Sequence, residues 1–512
     1  MLSVLDSTMR DGAQHNKISY SVDDKLGIAD ALYSLGIDYI EYGAPAFDDE
    51  CALFERRTKI PPSALVAFGM TARKGVDPAL DKGIRRLIDC RAETITLVGK
   101  ADSSQVKSVL GVSCEEYLEN ITKSVAEITK SGKKVIFDAE HFFDGFLRGD
   151  GFAAKALKSA EAGGAFIVTL CDTNGGSLPD TVSAGVRAAL NSVKISVGIH
   201  THNDSGLAVA NTLEAEESGA THIQGTLLGF GERSGNACLS TLIPLFNRLG
   251  KLHTDNLKML TPASRAVAEI SNIAIPDSMP YIGDAAFTHK AGLHADGVLK
   301  ATNTFEFIPP ESVGNVRRLV LSKESGRHLV KAKLSGIIPE ADDPDVFAKI
   351  FNALKARESE GYSYEAAEAS FYLMAARIAG RNVDFFKTID YSVTDSADAS
   401  SRAETTIEVA GKRQMTVATG SGPVHALDRA MRKCMIGFFP AMDKVSLVDY
   451  KVRVIDPKSA TGASVRVSIT TTDGKRTWKT IGVSGNVIHA SFMALEDSYR
   501  FALNDDFNHI FA

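Results

Sequence analysis

Two histidines one residue apart, His200-Thr201-His202, follow an apolar run, Ile195–Ile199, and precede a helix-like segment from Gly206 to Glu217. Side chains alternate along a strand, so both imidazoles project to one face, a pleat apart. At that spacing they can share one divalent cation once a carboxylate arrives from elsewhere; alone, they could equally be a structural pair. Asp11, in Asp6-Ser-Thr-Met-Arg10-Asp11-Gly12, would complete an oxygen/nitrogen site with positions open for water or substrate. Asn236 could add an amide oxygen, or be a turn residue beside Gly235. Arg10 is a permanent cation: with a metal it would bracket an oxygen gaining negative charge, and otherwise it would pair with Asp6 or Glu41. Glu140 could be a general acid or base, could orient a water at the metal, or could be a structural carboxylate. Thr173 offers a hydroxyl and a backbone N–H suited to a substrate carboxylate.

Something must bring these distant residues together. From Leu2 to about Arg248, apolar runs alternate with amphipathic helical stretches. The runs are Leu2–Leu5, Ile37–Glu41, Ala64–Phe68, Thr94–Val98, Lys134–Phe137, Phe166–Leu170, Ile195–Ile199 and Ile223–Thr226. Between them lie segments such as Ser21–Leu35, which opens on Ser21-Val-Asp-Asp like an N-cap, and Ser113–Ser131; Ala237–Leu249 follows the last run. Eight such units in about 250 residues predict an α/β fold, a (β/α)8 TIM barrel. A doubly wound open sheet is the alternative, but no Gly-x-Gly-x-x-Gly turn follows the first run. On a barrel, chemistry sits at the C-terminal strand ends, where these candidates fall. Asp11 lies beside the histidines only if the barrel closes.

Beyond the barrel, from about Lys258 to Gly380, the pattern is mainly helical and less regular. It includes the motifs Phe287–Gly297 and Leu321–Arg327. Near Asn382 it changes again, to strands Phe385–Ser392, Ala403–Val409 and Arg413–Thr419 and a helix Gly422–Met435. A second set follows: Leu447–Ile455, Ser464–Thr471 and Arg476–Val483, then a helix Asn486–Leu503. The two sets predict an α+β module of two βββα repeats of about 60 residues each. The expected divisions are 1–257 for the barrel, 258–381 for helical linker subdomains and 382–512 for the module.

With 512 residues the chain is too long for one core. Its net charge of -6, with no strongly basic segment, argues against a nucleic-acid partner. The six cysteines are scattered with no C-x-x-C pair, which suits reduced thiols. The first run starts at Leu2, leaving no room for a signal peptide, and no apolar run approaches the ~20 residues of a membrane span. A cytoplasmic protein acting on small molecules, away from membranes, is expected.

Together these motifs resemble the 2-isopropylmalate, homocitrate and citramalate synthases, the acyl-CoA Claisen-condensing family of the DRE-TIM metallolyase superfamily. The matches are Asp6–Gln14, His200–Ala208, Gly229–Asn236, the segment Phe287–Gly297 and the C-terminal repeat, so the likeness covers nearly the whole chain. Asp138–Gly145 and Cys171–Gly176 most resemble the citramalate-forming branch. That implies acetyl-CoA as co-substrate and pyruvate as acceptor, in a threonine-independent route to isoleucine; isopropylmalate or homocitrate formation is the alternative. It also implies one divalent ion (magnesium, manganese or zinc) on Asp11, His200 and His202 with Asn236 close by. Arg10 would polarise the ketone, Thr173 would bind the carboxylate, and Glu140 and His294 would serve proton transfers. The likeness further implies a homodimer with His294 reaching the partner's barrel, and a regulatory C-terminal domain taking an amino-acid effector, isoleucine. Two departures stand out: Phe305 where the family usually has tyrosine, and Glu41-Tyr-Gly-Ala-Pro45 after the second strand. A superfamily lyase is disfavoured because the loop Gly231-Glu-Arg-Ser-Gly235 has no cysteine. A non-catalytic amino-acid sensor is disfavoured by the intact Arg10, Asp11, His200 and His202.

Overall fold

Eight parallel strands pair in chain order: β1 (Ser3–Asp6), β2 (Tyr39–Gly43), β3 (Leu65–Met70), β4 (Thr94–Lys100), β5 (Lys134–Glu140), β6 (Ile167–Asp172), β7 (Ser196–Thr201) and β8 (His222–Gly225). The β1–β8 ladder, from Ser3↔His222 to Asp6↔Gly225, closes the barrel and rules out the open sheet. The computed structural model describes residues 2–510 apart from 47, 57, 255, 291, 323–324, 366, 398–399, 456–461 and 509. Ala291 in the motif Phe287–Gly297, and Lys323 and Glu324 in Leu321–Arg327, therefore lie outside the described residues.

Alternation decides what fills the barrel. Every second residue points inward, so a strand can be apolar at its start and polar at its end on the same face. Leu5, Val66, Ile136 and Ile167 form the apolar layer, with Tyr39 and Phe166 against it. Two residues on from Ile136 comes Asp138, and two on from His222 comes Gln224, both buried. Strands therefore outrun the apolar stretches that mark them in sequence: β4 continues to Lys100, β5 to Glu140 and β7 to Thr201. The inward polar groups there bond to one another, so the ladder does not need an apolar face to persist.

Helices cover the barrel from well-defined starts. Ser21 caps the helix Val22–Leu35 in a reciprocal box with Asp24, and Ser113 caps Cys114–Lys130 by accepting from Glu116 N–H. Gly198 leaves room for His222, whose Cδ2 would lie 2.8 Å from a Cβ at that position. His222 is fully enclosed, bonded through Nδ1 to Ser3 Oγ at 2.9 Å, and burial pushes its pKa down to about 3. An unfolded histidine titrates near 6.5, so the unfolded chain takes up a proton that the folded one refuses. Stability is then fully present above pH ~6.5 and falls by up to about 1.4 kcal/mol per unit between ~6.5 and ~3. A His222→Gln variant followed by urea denaturation should show a shallower acid dependence over that window; an unchanged slope would refute the assignment.

The chain divides into two compact units, Met1–Phe287 with Ile308–Val316, and Thr288–Phe307 with Arg317–Ala512. The second unit contains a short parallel pair, β9 (Thr288–His289) and β10 (Arg318–Leu319), and four longer helices, Gly292–Lys300, Arg327–Leu334, Pro344–Ser359 and Glu368–Ile378. Two antiparallel meanders follow. The first is β11 (Lys387–Asp395), β12 (Ser401–Val409) and β13 (Lys412–Gly420), and the helix Pro423–Ile436 comes next. The second is β14 (Ser446–Val454), β15 (Val465–Thr472) and β16 (Thr477–Ser484), followed by the helix Val487–Ala502. The expected βββα repeat is present down to its irregularity: the register slips between Thr388 and Asp390 in β11 and between Leu447 and Asp449 in β14. An Asp-Tyr pair follows each slip, Asp390-Tyr391 and Asp449-Tyr450. Among the described residues no helix is long and apolar enough to cross a membrane.

Candidate active site

Asp11, just past β1, and His200 and His202, at the end of β7, place three ligand atoms within 4.8 Å of one another, all buried. His200 Nε2 lies 3.8 Å from Asp11 Oδ2. Burial would raise the Asp11 carboxyl, but Arg10 and the two imidazoles bring it down to about 2. Burial lowers both histidines, His200 to about 4. At neutral pH all three groups therefore carry free lone pairs, the state a cation requires. Two further atoms point to a missing partner. His202 Nδ1 and Asn236 Oδ1 are buried, and among the described residues neither has a hydrogen-bond partner. A cation placed among these donors would satisfy both kinds of deficit, so the residues fit a metal.

The loop after β8 delivers Asn236. It folds back so that Asn203 N–H donates to Gly235 O at 2.9 Å and Asn236 N–H to Gly229 O at 3.1 Å. Gly235 has φ +88, and a Cβ there would meet Gly229 O at 2.0 Å, so only glycine fits. Asn236 Nδ2 donates to Asp11 Oδ1 at 2.7 Å and to Phe230 O at 3.0 Å, which leaves its carbonyl oxygen free.

Arg10 donates through Nε to Glu41 at 2.8 Å and through Nη1 to Asp11 at 2.8 Å, and its guanidinium lies 4.0 Å from the centre of the Phe68 ring. Asp6 is not among its hydrogen-bond partners; that carboxylate accepts from Thr8 N–H and Oγ1–H. Burial pushes Glu41 up and Asp138 up to about 7, while the Arg10 charge opposes both shifts.

Glu140 ends β5 and pairs with the Lys100 ammonium, directly across the ladder on β4. A cavity of about 480 Å³ opens beside them, walled by Phe68, Met70, Leu87, Val98 and Tyr117. Ala44 and Ala46, in and just after the unusual stretch following β2, also line it. Thr173 Oγ1 accepts from His141 N–H at 2.8 Å, so its own proton can still be donated. Arg233 ties the neighbouring loops by donating to Asp204 at 2.8 Å and to Thr173 O at 2.9 Å.

The structure thus gathers Arg10, Asp11, His200, His202 and Asn236 into one cluster, with Glu140 and Thr173 on neighbouring strand ends. His294 belongs to the other unit, where its ring stacks on Phe305 at 4.3 Å between centres. Lys100 and Gln224 escaped the sequence reading. Lys100 lies beyond the apolar run of its strand, and counting on by twos from Val98 would have found it; Gln224 is an amide with no reactivity of its own.

Residues 1–267 match the family model described as HMGL-like. Residues 281–361 match the homocitrate synthase post-HMGL domain-like model, and residues 365–503 match the LeuA allosteric (dimerisation) domain. The chain is 41% identical to the (R)-citramalate synthase of Aquifex aeolicus, over 98% of each chain. It is 40% identical to that of Sulfolobus acidocaldarius, over 99% of this chain and 97% of the relative. To a probable 2-isopropylmalate synthase of Methanosarcina mazei it is 29% identical, over 84% of this chain and 82% of the relative.

Proposed function

The chain belongs to the (R)-citramalate synthase family, and from that premise we infer how its residues condense acetyl-CoA with pyruvate to give (R)-citramalate and CoA. One observation carries the assignment of residues: three buried ligand atoms within 4.8 Å, beside an arginine that has donors to spare. A divalent cation held by Asp11, His200 and His202, with Asn236 adjacent, would supply Lewis-acid stabilisation of negative charge on the acceptor's oxygens.

The remaining steps fall to side chains. Arg10 polarises the pyruvate ketone, and the Thr173 hydroxyl donates to the pyruvate carboxylate. A base takes a proton from the acetyl methyl group, and the resulting enolate carbon attacks the ketone carbon. Water then cleaves the thioester, releasing CoA. Glu140, kept beside the Lys100 ammonium, and His294, supplied by the partner subunit of a homodimer, carry the proton transfers. The apolar cavity beside Glu140 suits the uncharged arm of a thioester.

The choice of acceptor is supported by the higher identity to (R)-citramalate synthases than to the 2-isopropylmalate relative. CoA release from acetyl-CoA, measured with pyruvate, 2-oxoisovalerate and 2-oxoglutarate, tests it. One methylene in an apolar pocket discriminates by roughly 10–200-fold, so pyruvate should lead by at least about tenfold in kcat/KM. Comparable rates with 2-oxoisovalerate would overturn the assignment.

The match of residues 365–503 to an allosteric dimerisation domain supports regulation by a bound amino acid, and we assign isoleucine as the inhibitor. Titrating isoleucine against the full chain should lower the rate. A chain ending at Arg381 should lose that response; inhibition that persists in it would place the effector elsewhere.

A further inference from the structure

The geometry points to Gln224 as the residue that selects the metal-binding nitrogen of His200: its amide holds His200 as the Nδ1–H tautomer and so turns the Nε2 lone pair toward Asp11 and the cation. This rests on the reading of His200 as a ligand and adds a positioning residue to it. The ladder places His200 opposite Gln224 across β7 and β8, and both side chains point inward. His200 Nδ1 lies 3.0 Å from Gln224 Oε1. On its other side the same amide donates Nε2–H to Asp138 Oδ1 at 2.8 Å and to Thr169 Oγ1 at 3.2 Å. All four residues are buried, so water does not compete for these bonds.

The directions follow from what each group can do. In its ionised form, the state at pH 8, Asp138 only accepts, so the Gln224 nitrogen faces it and the oxygen is left for His200. An amide oxygen cannot donate, so Nδ1 of His200 must carry the proton. Nε2 then has the lone pair. The reversed amide would put a proton on Nε2, aimed at the place where the cation binds. His202 has no such guide: its Nδ1 is buried without a partner among the described residues. One imidazole is therefore set before metal arrives, and the other is set by the metal.

Histidine-selective ¹⁵N labelling of the metal-free full chain at pH 8, with long-range proton–nitrogen correlation, reads the tautomer directly. His200 should appear as pure Nδ1–H, and an Nε2–H or mixed state would overturn the proposal. Manganese affinity supplies a second readout, measured by competition with a chelator. Gln224→Leu should weaken binding about 10–100-fold, the usual effect of removing a group that orients a ligand. The double variant Asp138→Asn with Gln224→Glu exchanges the amide and the carboxylate yet keeps an acceptor for Nδ1–H. It should hold manganese within about threefold of wild type, on the same scale of ligand-orienting effects. Unchanged affinity in Gln224→Leu, or no rescue by a folded double variant, would overturn the role of Gln224. His200→Ala binding manganese as tightly as wild type would overturn the ligand reading and this proposal with it. If Gln224→Leu does not fold, the wild-type tautomer still decides.

Discussion

The Arg10→Lys variant is expected to keep its metal and to lose about 10²–10³-fold in kcat/KM, the scale measured when one donor to a developing oxyanion is removed. The reason is geometric. Two guanidinium nitrogens are already committed, Nε to Glu41 and Nη1 to Asp11, and the guanidinium rests on the Phe68 ring. The planar fork spans both carboxylates and still has N–H groups for the ketone oxygen. An ammonium is a point charge on a flexible stem and cannot do all three. Glu41 is buried and unable to reach water, so a shortened cation will be drawn to it and away from substrate. The proposed ligands Asp11, His200 and His202 are untouched, so elemental analysis should return wild-type metal content. Full kcat/KM in Arg10→Lys would show that charge alone, without the fork, suffices.

The barrel was legible because a strand that faces both a core and a helix layer needs apolar residues at short regular intervals. The C-terminal repeat was legible because its alternation and turns recur. The same logic hid the strand ends. At Lys100 and Glu140 the inward residues bond to each other, and Thr201, on the outward face, bonds to the helix behind it, so hydropathy stops before the ladder does. The cost was specific: Lys100, the partner of Glu140, lay past the apparent end of β4.

The candidate metal ligands could be picked out by type and spacing, but their state could not. Nothing in the sequence says that Asp11 faces both Arg10 and Asn236, or that one histidine is braced by Gln224 while the other has an orphaned nitrogen. Those are products of register: Gln224 reaches His200 because β8 enters beside β7 at His222, and a one-residue slip would turn it to the other face. His294 was singled out only through likeness to a family, since no periodicity separates it from an ordinary helix-surface histidine. The unit division has a physical reason of its own. Ile308–Val316 returns to the first unit, where Thr261 Oγ1 donates to Val313 O and Asn315 Nδ2 donates to Tyr281 O, with no shift in composition to announce it.

His202→Ala should lose metal and turnover together, and it should do so without unfolding the chain. A site with three protein ligands keeps only two, and those two cannot enclose the ion. Lewis-acid stabilisation is worth several kcal/mol, and each 1.36 kcal/mol is a factor of ten, so turnover should fall by about 10³-fold or more. The metal-free fold has little to lose, because His202 Nδ1 makes no hydrogen bond among the described residues. That asymmetry gives a test independent of activity. A ligand at 100 times its dissociation constant stabilises the folded state by about 2.7 kcal/mol. Manganese should therefore raise the Tm of the wild type and leave that of His202→Ala where it was, while the two metal-free proteins melt close together. A variant that binds metal at full occupancy, or whose Tm still climbs with manganese, would remove His202 from the ligand set. An imidazole with a bare, buried nitrogen would then need a different partner to account for it.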